Sequence, residues 1–104
     1  MSVTLLIDTS AINTAKIALE IDGKRHEKTS ESKIMKSQMV LPLIEDILRE
    51  HNLKLTDITA ITVATGPGSF TGLRVGATVA NALGYLLHVP VNGKKALVIP
   101  SPEF

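Results

Sequence analysis

With 104 residues, 44% of them hydrophobic, the chain has material for one modest core, and a single domain is the expected organisation. Eleven basic side chains against ten acidic ones leave a formal charge of +1, which excludes the broad cationic footprint of a protein that grips nucleic acid unaided. Cysteine is absent, which excludes a disulfide framework and thiolate metal ligands and fits a reducing compartment.

Val3 to Ile7 is a short apolar run cut off by Asp8, so it reads as a buried strand with a polar turn, Asp8-Thr9-Ser10, and not as a leader peptide. No apolar run approaches membrane-spanning length, and a cytoplasmic, soluble protein with no membrane partner is expected. Ala15, Ile17, Leu19 and Ile21 alternate with Lys16 and Glu20, which marks a second strand with one covered face. Asp22-Gly23 is a hairpin turn signal, and the polar stretch from Lys24 to Ser32 is at best an edge strand.

From about Ile34 to His51, Met35, Met39, Leu43 and Ile47 recur at helical spacing with Val40, Ile44 and Leu48 beside them. Pro42 predicts a kink, or a helix that begins near Val40 and holds the proline in its first turn. Asn52 to Asp57 connects to a third apolar strand, Ile58 to Ala64. A second helix is predicted from about Thr71 to His88, stopped by Pro90. Val91 and Ala96 to Ile99 are candidates for a last strand, and residues 100–104 read as a flexible tail.

Between the third strand and the second helix lies Gly66-Pro67-Gly68-Ser69-Phe70-Thr71-Gly72. Its glycines permit close backbone approach, and such a turn aims free N–H groups at one spot, which either holds a phosphate or simply ends a strand. On the second helix Arg74, Thr78, Asn81, Tyr85 and His88 form a narrow polar stripe, and nearly all the remaining circumference is apolar or small. Gly72, Gly76, Ala80 and Gly84 recur at every fourth position, which predicts close approach of another helix, from this chain or from a second protein.

Leu6-Ile7-Asp8-Thr9-Ser10, then Ser37-Gln38 with Leu41-Pro42-Leu43-Ile44, then Gly66 through Gly76 together resemble the TsaB (YeaZ) family over roughly residues 3 to 91. That resemblance implies an α/β fold: a single actin-like (ribonuclease H-like) lobe, with a mixed sheet of about five strands and two main helices. It also implies a role in making threonylcarbamoyladenosine in tRNA. In the family's pathway a TsaC-type enzyme makes the activated threonylcarbamoyl group and TsaD transfers it. TsaB is a non-catalytic platform that pairs with TsaD through its two helices, and a TsaE-like ATPase binds the pair. The expected partners are therefore a TsaD-like protein and a TsaE-like ATPase, with tRNA reached only through the complex. Residues 1–99 are expected to form the N-terminal lobe, 100–104 a flexible tail, and the second lobe that family members usually carry is expected to be absent from these 104 residues. A lone lobe cannot close around ATP, so ATP or ADP and Mg are expected only with a partner. Lys36 stands where the family usually has histidine, and Lys94-Lys95-Ala96-Leu97 offers no metal ligand where TsaD-like relatives place theirs.

Two sets of site residues follow. Met35, Met39, Leu43, Gly72, Arg74, Gly76, Ala80, Leu83 and Leu87 are assigned to the partner interface, with Arg74 at its polar margin. Asp8, Thr9, Ser10, Gly66, Gly68 and Ser69 are candidate phosphate-binding residues, against a plainer reading in which Asp8 caps its own turn and the glycines only serve the strand-to-helix change. The turn is no Walker loop, because no Gly-Lys-Ser/Thr follows it. Ser10 and Ser69 lack a neighbouring histidine base and a strained Gly-x-Ser-x-Gly elbow, so an esterase or serine protease reading fails, and no catalytic residue is assigned. His26, His51 and His88 fall on three elements without metal-ligand spacing and read as surface residues. Two alternatives stand beside the platform reading: a nucleotide-binding half-enzyme completed by a separately encoded lobe, and a homodimeric fragment.

Overall fold

A computed structural model describes residues 2–11, 14–31, 37–68 and 70–93. The elements run β1 (Val3–Asp8), β2 (Thr14–Ile21), β3 (Lys24–Glu31), α1 (Ser37–Glu50), a 3-10 turn (Leu55–Asp57), β4 (Ala60–Val63) and α2 (Phe70–Leu87). The strands form one mixed sheet in the order β3-β2-β1-β4, with β1 antiparallel to β2 and parallel to β4. Alternation sets which residues point inward: Val3, Leu5 and Ile7 of β1 are buried, while Thr4, Leu6 and Asp8 are only partly covered. Both helices lie on that inward face, α1 against β2 and β3 and α2 against β1 and β4, and one core joins them through Ile17, Leu19, Ile44, Ile47 and Ala80.

Local chemistry accounts for the turns. Asp22 (φ 50°) and Gly23 (φ 89°) make the two-residue hairpin turn between β2 and β3, whose positive φ values suit the twist of the paired strands. Asn52 (φ 56°) ends α1 in the left-handed conformation, and Leu53 N–H reaches back to the Leu48 carbonyl at 2.8 Å. His88 (φ 57°) ends α2 in the same way, with Val89 N–H on the Gly84 carbonyl at 3.1 Å.

Of the two arrangements expected for Pro42, a start near Val40 is not the one seen: α1 runs from Ser37 to Glu50 with Pro42 inside it. The proline leaves the Gln38 carbonyl without its helical amide but sits on the exposed side, where water can bond to that carbonyl. Among the described residues the sheet has four strands where about five were expected. Beside β4, Val91 forms a parallel bridge to Ile61, and the Asn92 side chain adds to it. Its Oδ1 accepts from Val63 N–H at 2.8 Å and its Nδ2 donates to the Val63 carbonyl at 3.0 Å, so a side-chain amide pairs this part of the β4 edge. Ala96 to Ile99 lie outside the described residues, as do Ile34 and Met35.

Candidate protein interface and the strand-to-helix junction

Where β1 ends, Thr9 is 1% exposed and fastens α2 to the sheet. Its hydroxyl donates to the Gly72 carbonyl and accepts from Gly76 N–H at 3.0 Å, so it is bracketed by the two ends of one helical step. Such an approach requires glycine. A Cβ on Gly76 would stand 2.5 Å from Thr9 Oγ1 and 3.3 Å from side-chain carbons of Ile7 and Val63. One on Gly84 would stand 2.5 Å from a methyl of Val91.

Gly76 and Gly84 therefore face this chain's own sheet and its closing segment. Of the residues assigned to an interface, Leu43, Gly72, Gly76, Ala80 and Leu83 are buried in the fold of this chain. Met39 and Leu87 are half-buried against the core, Arg74 is exposed, and Met35 lies outside the described residues. α2 is apolar on more than one side, and spacing along the chain does not say which side the sheet takes.

Several of the candidate phosphate-binding residues do come together. A Cβ on Gly68 (φ +153°) would stand 2.7 Å from Ser10 Cβ, so the glycine turn rests on the turn that follows β1. Within that turn Asp8 Oδ1 accepts from Ser10 N–H at 3.0 Å and from Ser10 Oγ at 2.5 Å, the self-capping arrangement of an aspartate turn. Thr9, by contrast, is buried, and its hydroxyl bonds to the backbone of α2. Gly66 (φ 140°) is joined to Pro67 by a cis peptide, and Ser69 lies outside the described residues.

What the sequence reading missed is the outward side of α2. Val75, Val79, Ala82 and Leu86 succeed one another at helical spacing along it, and Tyr85 stands beside them. Leu86 is 68% and Tyr85 80% exposed, and on α1 Leu41 is 45% exposed. Among the described residues these three are the exposed large hydrophobic side chains. The sheet face away from the helices carries a separate hollow of about 180 Å³ lined by Leu6, Asp8, Lys16, Ala18, Arg25 and Thr62.

A mixed sheet in this order, both helices on one face, and a glycine turn leading into the second helix define one lobe of an actin-like α/β protein. A family model described as TsaD, tRNA N6-adenosine threonylcarbamoyltransferase, matches residues 30–97. The chain is 36% identical over 94 residues to the tRNA threonylcarbamoyladenosine biosynthesis protein TsaB of Escherichia coli, covering 90% of this chain and 40% of that protein. Over 54 residues it is 50% identical to the tRNA N6-adenosine threonylcarbamoyltransferase of Nitrosospira multiformis, covering 52% of this chain and 16% of that one. The solved structure of YeaZ from Pseudomonas aeruginosa superposes with a TM-score of 0.81 at 33% identity, over 88% of this chain and 42% of that chain. The chain belongs to the TsaB (YeaZ) family. It spans about 40% of the length of the curated relatives it matches.

Proposed function

We propose that the chain serves threonylcarbamoyladenosine synthesis on tRNA as a non-catalytic, TsaB-like subunit, and that it docks a TsaD-like catalytic partner through the outward side of α2. The observation that carries the docking site is the exposure of Leu86 and Tyr85 beside Val75 and Val79, which are partly buried against the core, an apolar margin that a helix from another protein would cover. Two observations support a structural rather than a catalytic role for the junction: Asp8 is engaged by its own turn and Thr9 by α2. In this reading a TsaE-like ATPase and tRNA are met through the pair.

The test is light scattering with a TsaD-like protein. Leu86→Asp is expected to weaken pairing tenfold or more while leaving the melting temperature of the chain unchanged, because the side chain stands in solvent. Pairing as tight as that of the parent would overturn the docking surface, and threonylcarbamoyl transfer by this chain alone would overturn the non-catalytic role.

A further inference from the structure

Two of the histidines that the sequence scatters over different elements meet in space. His26 of β3 and His51, just past the end of α1, have ring centroids 4.3 Å apart and planes tilted by 48°. His51 Nδ1 lies 2.8 Å from the Ile47 carbonyl oxygen. A carbonyl only accepts, so Nδ1 carries the proton and donates, which leaves the lone pair of the neutral ring on Nε2. That is how a metal-ligating histidine is commonly oriented, with its second nitrogen held by a backbone carbonyl.

His26 is held in place from the other side. By alternation it shares a face of β3 with Lys28 and Ser30. Lys28 pairs with Glu50 of α1, and Ser30 Oγ contacts Met39 Sδ of α1 at 3.6 Å. Both imidazoles are half-buried, so their backbones are fixed while their rings reach solvent.

We propose that His26 and His51 form a two-imidazole site for a borderline divalent ion of the zinc and copper class, which staples β3 to the C-terminal end of α1. Zinc–nitrogen bonds of about 2.0–2.1 Å at a tetrahedral angle set the two nitrogens roughly 3.3 Å apart. The ring centroids, 4.3 Å apart, would part to roughly 5 Å to share such an ion, a swing of the two side chains away from each other. Among the described residues no group of three or more metal-ligating side chains forms, so the remaining coordination positions of a bound ion would fall to water. Imidazole nitrogen selects against magnesium and calcium, which take oxygen ligands. The staple has a structural consequence, since β3 is the outermost strand of the sheet and pairs only with β2.

Calorimetry with zinc chloride on the chain freed of any polyhistidine tag tests the site, with magnesium chloride as the control. One zinc per chain is expected and no heat from magnesium. His26→Gln and His51→Gln should each weaken binding about tenfold or more, whereas His88→Asn should leave it intact. Protons compete with the ion for imidazole nitrogen, so affinity should fall in acid. At zinc several-fold above its dissociation constant, the melting temperature should rise by about 4–8 °C. As a readout on the unsubstituted chain, trace copper should broaden the ring proton resonances of His26 and His51 before those of His88. No zinc binding at millimolar concentration near neutral pH would overturn the site. So would binding that survives both glutamine variants, or broadening that begins at His88.

Discussion

Thr9 and Gly76 form one contact from two sides, and each predicts a measurable loss. Thr9→Val keeps the shape of the side chain but removes the hydroxyl bracketed by Gly72 and Gly76. Both groups lie in a buried junction, so the cost is expected at roughly 1–3 kcal/mol, read as a lower urea midpoint with an unchanged slope. Gly76→Ala sets two effects against each other. Alanine favours a helix by about 1 kcal/mol over glycine. Here its Cβ would meet the buried Thr9 Oγ1 at 2.5 Å, with Ile7 and Val63 behind, and none of these is a free side-chain end that can swing away. The clash wins, and Gly76→Ala is expected to destabilise by about 1–3 kcal/mol. A more stable Gly76→Ala protein would mean that α2 does not sit this close to β1. The glycine row was plain in the sequence, but its contact with Thr9 was not, because the hydroxyl donor lies 63 residues from Gly72 along the chain.

Between elements, the Lys28–Glu50 ion pair joins β3 to α1. The hydrogen bond from Lys28 holds the Glu50 carboxyl below its ordinary value of 4.5, and the same bond raises the Lys28 ammonium above 10.5. A carboxyl whose value is lowered by folding stabilises the fold fully above its unfolded value and loses that contribution as pH falls through the folded one. For the lysine the sign reverses: its contribution is present below 10.5 and is lost as pH rises through the raised value. Urea midpoints of the parent and Glu50→Gln should therefore differ at neutral pH and converge in acid, as pH falls from 4.5 through the lowered folded value. The pair is exposed, so the difference should be small and should shrink further in high salt. A difference that persists in acid would show that Glu50 acts by something other than its charge. At this scale much could be read in advance: the alternation of β1 and β2, the Asp22-Gly23 turn and the stop of α2 before Pro90 all depend on residues close together in the chain. The start of α1 and the closing of β4 by Asn92 could not, since one rests on which side of a helix meets water and the other on an amide reaching 29 residues back.

As a whole the molecule is one sheet with its helices on a single face, so its surfaces differ in kind. On the helix side Leu86, Tyr85 and Leu41 stand in solvent where the docking of a TsaD-like partner is proposed. On the opposite side Leu6 and Ala18 line a hollow rimmed by Asp8, Lys16 and Arg25. No helix among the described residues is long and apolar enough to cross a membrane. The Leu86→Asp prediction belongs to this scale, because it separates a surface used for association from the core that holds the fold. Loss of pairing together with loss of stability would place Leu86 in the core instead.

Order along the chain was enough for the kinds of element, the glycine turn and the family, since alternation, turn chemistry and motif spacing are properties of near neighbours. It was also enough to mark α2 as apolar over more than one side. Which side turned inward was settled by packing: Thr9, Ile7 and Val63 admit only a backbone with no Cβ at Gly76, so the small residues went to the sheet and Leu86 was left outside. The meeting of His26 with His51 has the same origin, for only the laying of α1 across β3 brings two rings 25 positions apart in the chain to within 4.3 Å.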